Sequence, residues 1–206
     1  MSMGTTGRAT CCLFMVATEK FDQVAVQSQE ELRAWLMANH SQEKSVWLVT
    51  FKKSVPEKYL DRWAVLDELI CFGWIDGVRR KLNEDQTMQL IAPRKVQHWA
   101  QSYKTRAAKL IEEGRMHESG LRSIEAGKAS GLWNFMDDVD RLEIPEDLRQ
   151  ALDAKSGALA FFEGTNASSK RNALRWVKLA KTEATRTKRI LELARLSAKA
   201  EKLPGS

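Results

Sequence analysis

Lys52 and Lys53, Asp76 and Arg79, and Arg94 and Lys95 form three charged pairs, each within a few residues of a tryptophan: Trp47, Trp74 and Trp99. Several cations around one carboxylate, beside aromatic walls, are the ingredients of an anion-binding pocket. Asp76 is the most pointed of them, because a charge directly after two apolar side chains, Trp74 and Ile75, needs a partner. A plainer reading competes: Asp76 forms a salt bridge to Arg79 or Arg94 that only orients a hairpin.

Other chemistry finds less support. His40, His98 and His117 lie in three separate segments, with no His-Glu-x-x-His and no Gly-x-Ser-x-Gly. Asp67 and Glu68 are adjacent on one helix and point about 100° apart, which is no acid/base pair. No Cys-x-x-Cys, calcium loop, phosphate loop or Gly-x-Gly-x-x-Gly occurs, so neither metal nor cofactor is expected. A small-molecule enzyme centred on Asp76, Arg79, Arg94 and Lys52 stays an alternative to a non-catalytic binding protein.

A second charged feature lies near the C-terminus. Residues 168–202 hold eleven Lys/Arg against three acids, in a chain whose net charge is +6, so the rest is slightly acidic. Arg171, Arg175, Lys178, Arg186 and Arg189 on such a segment suit weak, salt-dependent contact with nucleic acid phosphates. No helix-turn-helix or zinc module accompanies them, so a solvated helix face is the expected reading and nucleic acid the lesser one.

The elements that must position these residues follow from periodicity. Ser28 and Glu31 form a capping box ahead of Leu32, Trp35 and Leu36, predicting a helix to about Asn39. Residues 46–53 read as a strand, and Asp61 caps a helix stopped by Gly73. Segments 74–81 and 86–91 flank turn-forming residues and predict a hairpin, in which Trp47 and Trp74 are expected to face each other. Helices are predicted over 99–113, 120–130, from Pro145 to Leu152, and over 156–163. Over 168–199 an apolar seam at 173, 177, 180, 184, 191, 194 and 198 predicts one long helix or two abutting ones. Trp35, Trp63 and Trp176 fall on apolar faces and are assigned to the core. The fold class is therefore α+β: a small antiparallel sheet of about three strands packed by helices, then a helical C-terminal half.

The remaining features set the context. Three cysteines, with Cys11 and Cys12 adjacent and Cys71 in an apolar helix, point to a reducing compartment. The apolar run 11–17 has only seven residues and no cleavage site follows it, and no stretch approaches the ~20 apolar residues that span a bilayer. Residues 1–20 are expected to be a disordered leader and 201–206 a disordered tail. The folded part is 21–200, with an α+β part over 21–95 and a helical part over 96–200, and a cytoplasmic location is expected.

Cys71-Phe72-Gly73-Trp74-Ile75-Asp76-Gly77, taken with Trp47 to Lys53 and Pro93-Arg94-Lys95, resembles the YdeI/OmpD-associated family, also called bacteriocin-protection proteins. The similarity continues through Leu110 to Met116, Gly131-Leu132-Trp133, Ala160-Phe161-Phe162, Ser169 to Trp176 and Ala180 to Ile190, in order, over roughly 21–200. One segment departs from the pattern. Where the family has a Ser and then Trp-Ser-x-x-Asn after Pro-Arg-Lys, residues 96–103 keep Trp99 but lose the small polar positions. The resemblance implies stress protection against bacteriocins or antimicrobial peptides and association with a porin, and it implies no catalytic mechanism. The expected partner is an anionic small molecule or another protein.

Overall fold

The sheet begins earlier than the alternation of apolar residues indicates. The computed structural model describes residues 21–95 and 97–204, so the leader at 1–20, with Cys11 and Cys12, lies outside the described residues. Strand β1 (Gln23–Ala25) runs parallel to β2 (Val46–Phe51), with Val24 opposite Leu48. Helix α1 (Gln29–Asn39) makes the crossover that parallel neighbours require. Its capping box forms as expected, Ser28 Oγ accepting from the Glu31 amide at 3.2 Å. Three residues are too few for a period-two signal, which is why β1 escaped the sequence.

Helix α2 (Arg62–Cys71) starts at the Asp61 cap, whose carboxylate accepts from the Trp63 amide at 2.9 Å. It ends at Gly73, held at φ +73°, where an added Cβ would sit 2.9 Å from the Ser119 carbonyl oxygen. The chain then turns into β3 (Trp74–Lys81) and back through β4 (Gln86–Pro93). The sheet has four strands in the order β1-β2-β4-β3. The expected three-stranded antiparallel unit is its β2-β4-β3 portion, and β1 makes the whole sheet mixed.

Because β4 lies between β2 and β3, Trp47 does not face Trp74. Trp47 opposes Leu90 and Trp74 opposes Pro93. Alternation sends Val46, Leu48 and Ile91 to one face, under α1, α2, α3 (Gln101–Glu112) and α4 (Glu118–Ala129). Trp47, Val49 and Met88 form a separate cluster with Phe21 and Leu90.

The helical half has its own core. Helices α5 (Asp137–Asp140), α6 (Glu146–Asp153), α7 (Ala158–Gly164), α8 (Ala167–Lys178) and α9 (Glu183–Ala198) enclose Met136, Leu148, Phe162, Leu174 and Leu193. The basic segment is two helices, broken at 179–182, with Thr182 capping α9 by accepting from the Thr185 amide at 3.1 Å. Leu203 lies in the stretch assigned to a tail, yet it is only 4% exposed and packs into this second core. No helix among the described residues is long and apolar enough to cross a membrane.

Candidate functional site

A β-bulge assembles the first part of the site. Asp76 opposes Ile91, but Arg79 opposes Gln89, so β3 carries one extra residue between them. In a regular strand residues three apart point to opposite faces; the extra residue returns Arg79 to the face of Asp76. Gln89 links the two, accepting from Arg79 Nη2 at 2.7 Å and donating to Asp76 Oδ2 at 3.1 Å. The phenol of Tyr103, on the first turn of α3, donates to Asp76 Oδ1. Burial and that carboxylate push the Tyr103 pKa far above the ordinary phenol value, so its proton stays in place.

Beyond Asp76 opens a cavity of about 370 Å³, lined also by Arg94, His98, Tyr103 and Arg175. Arg94 leaves the end of β4 with its amide bonded to the Gly73 carbonyl at 2.8 Å. Its guanidinium lies 4.0 Å from the centroid of the Trp99 ring and 5.4 Å from that of Tyr103. Burial lowers the Arg94 pKa to about 10, outweighing the opposing pull of Tyr103 and Asp76. Arg175 comes from α8 and meets His98 Nε2 at 3.1 Å. An arginine has no acceptor, so His98 accepts and carries its own proton on Nδ1. Burial, and then the neighbouring Arg175 and Arg94, hold the His98 pKa below its ordinary 6.5. Among the described residues neither Arg94 nor Arg175 forms an ion pair with a carboxylate.

This cavity gathers only part of the set expected from the sequence. Asp76 and Arg94 line it, and the buried Trp99 lies beneath Arg94 without reaching the cavity wall. Arg79 borders a neighbouring cavity of about 260 Å³ with Arg62 and Asp76. The expected salt bridge from Asp76 to Arg79 or Arg94 does not form; Asp76 is held by two neutral donors instead. Lys52 belongs to the far end of the sheet, donating to the carbonyls of Asn83 at 2.8 Å and Glu84 at 2.7 Å across the hairpin. Lys53 lies there too, over the Tyr59 ring, and Lys95 is exposed. Trp47 is buried in the third apolar cluster, and Trp74 is buried in the first core with Trp35 5.5 Å away in an edge-on contact. Trp63 is 44% exposed, sandwiched by Arg62 and Arg106, and is not a core residue.

The basic segment mostly faces inward electrostatically. Arg171 pairs with Asp140, Lys178 with Asp138, and Arg186 with Asp147 through two bonds of 2.7 and 2.8 Å. Arg189 donates to the Trp176 carbonyl. The nucleic-acid alternative thereby loses most of its free cations. Sequence reasoning did not place Tyr103 or His98 beside Asp76, and it grouped Arg175 with the cations of the nucleic-acid alternative and not with the cavity. It also missed the acidic turn α5, where Asp137 pairs with Lys104 and Asp140 accepts from the Gln101 amide at 3.0 Å.

Two further clusters lie away from the cavity. Glu68, 1% exposed, accepts from Gln29, Arg33 and Arg115 at 2.6 to 2.8 Å. His117 stacks on Phe72 and lies 4.6 Å from the His40 ring, so two histidines from separate segments do meet. Among the described residues no group of three or more His, Cys, Asp or Glu is placed to hold a metal.

Fold and site together define an α+β module with an arginine-lined cavity, closed on one side by a separate helical core. Residues 141–200 match the family model OmdA, "Bacteriocin-protection, YdeI or OmpD-Associated". The resemblance read from the sequence spread over 21–200; residues 24–123 instead match a domain of unknown function, DUF8412. No curated protein and no solved structure matches the chain.

Proposed function

We propose that this protein is a non-catalytic binding protein whose cavity between the sheet and α8 holds the anionic group of a small molecule. One observation carries the reading. Two guanidinium groups, Arg94 and Arg175, face one cavity without a carboxylate partner, while the carboxylate beside them is already engaged by Tyr103 and Gln89. Burial draws Arg94 out of water, an exposed Arg175 brings a second charge to the same cavity, and an anion entering between them is favoured by both. Guanidinium forks suit a carboxylate or phosphate group, and the Trp99 and Tyr103 rings keep Arg94 oriented for it. In this reading protection against bacteriocins, which the family name carries, works through a held ligand and not through turnover. The setting is cytoplasmic, where the buried thiol of Cys71, its pKa raised to about 11 by burial, stays reduced.

The test is thermal denaturation with inorganic phosphate or sulfate against chloride at equal ionic strength. Both oxyanions raise the wild-type melting temperature through selective binding to the folded state. Arg175→Gln, at an exposed position, keeps the fold and loses the shift. An equal response to chloride, or an unchanged shift in Arg175→Gln, overturns the assignment.

A further inference from the structure

The apolar seam read along 168–199 is only partly buried. Helix α9 turns Ile190, Leu193, Ala194 and Ser197 inward, a stripe spaced three and four residues apart. Ala184 and Leu191 fall outside it, and Leu191 is 56% exposed, the most exposed large apolar side chain among the described residues. Together with the half-buried Trp176 of α8 they floor an open groove of about 1230 Å³.

The groove's edges are basic. Lys155, Lys188, Arg189 and Arg195 line it, and the single acid, Glu192, is taken by Arg195 through bonds of 2.9 and 3.0 Å. Among the described residues Lys155 and Lys188 form no ion pair, and Arg189 holds the Trp176 carbonyl and stacks 5.2 Å from its ring. On α9, Ala184, Lys188, Leu191 and Arg195 follow one another at three- or four-residue steps and so form one face over three turns. A ridge of that length, beside Trp176 and Lys155, matches the ridge-and-groove packing of a second helix.

We infer that this groove docks an acidic amphipathic helix of a partner protein, its apolar residues over Leu191 and Trp176 and its carboxylates toward Lys155, Lys188 and Arg189. The sign of the rim repels cationic peptides. Nucleic acid fits less well, because its phosphates would face the apolar floor of Leu191 and Trp176. The groove lies wholly within residues 155–195 and shares no residue with the Arg94 cavity, so the two assignments stand or fall separately.

The experiment uses the full chain and a fluorescein-labelled helical peptide with leucines spaced three and four apart, flanked by glutamates. Its controls are a peptide of the same composition in scrambled order and a single-stranded oligouridylate. Anisotropy is expected to show micromolar binding, weakened about tenfold or more by Leu191→Glu and by Lys188→Glu, both at exposed positions that leave the melting temperature unchanged. Equal binding of the scrambled peptide, wild-type affinity in both variants, or displacement of the peptide by oligouridylate overturns the inference.

Discussion

Arg175 donates to His98 Nε2 at 3.1 Å, joining a residue just past the sheet to one on α8, 77 positions later in the chain. That bond fixes the imidazole as the neutral Nδ1–H tautomer and sets two cations around it. The protonation of His98 is therefore coupled to whatever anion enters the cavity.

Burial holds the His98 pKa down first and the repulsion from Arg175 and Arg94 second; an anion between the two arginines offsets that second part, so binding takes up a proton. Sulfate affinity is expected to rise as pH falls from neutral through 6.5 and to level off below the depressed pKa of the free protein. Calorimetry in buffers of differing ionisation enthalpy reads the proton directly. His98→Gln should remove both the proton uptake and the slope. The stability of the free protein runs the opposite way with pH: a lowered histidine pKa contributes stability present above 6.5 and lost as pH falls through the folded value.

Gly127 lies against the Trp99 indole, where an added Cβ would approach Nε1 to 2.5 Å. Gly127→Ala must push Trp99 aside, at a cost of about 1–3 kcal/mol for overpacking. Since Arg94 rests on Trp99, oxyanion binding is expected to weaken along with stability. Urea denaturation and the sulfate thermal shift check the two effects together.

Glu68→Ala removes a buried carboxylate and strands Arg33 and Arg115. Their side chains are 36% and 32% exposed, so water recovers part of their solvation. The expected loss is about 2–3 kcal/mol, below that of a fully buried pair. It is read as a lower urea midpoint, with sulfate binding to the folded protein unchanged.

Lys52→Ala is expected to cost no more than about 1 kcal/mol, because its two carbonyl partners sit at an exposed turn that water can reach. Sulfate binding should stay at the wild-type level. A lost thermal shift would return Lys52 to the site from which the geometry removes it.

Strands β2, β3 and β4, the caps at Ser28 and Asp61 and the stop at Gly73 were legible because each rests on local chemistry: alternation, a side-chain acceptor, a left-handed residue. Asp76, Arg94 and Trp99 were legible as a chemical set. Their partners were not. Placing β4 between β2 and β3 separates Trp47 from Trp74, and no local pattern reports strand order. The bulge that aligns Asp76 with Arg79 alters the period by one residue, which an alternation template reads as noise. Tyr103 and Arg175 come from helices whose docking depends on the acidic turn α5, too short at four residues to leave a periodic trace.

That turn bears on how such proteins can be recombined. Residues 137–140 lie between the two family matches, 24–123 and 141–200, and belong to neither. Yet Asp137 reaches Lys104 in the first part, Asp138 reaches Lys178 in the second, and Asp140 touches both, through the Gln101 amide and Arg171. A chimera that grafts a foreign helical half directly after residue 123 discards this connector. Lys104, at 8% exposure, then loses its counter-ion, and α3 loses the carboxylate that caps it beside Tyr103. The seventeen residues between the matches are thus the part that must travel with either half.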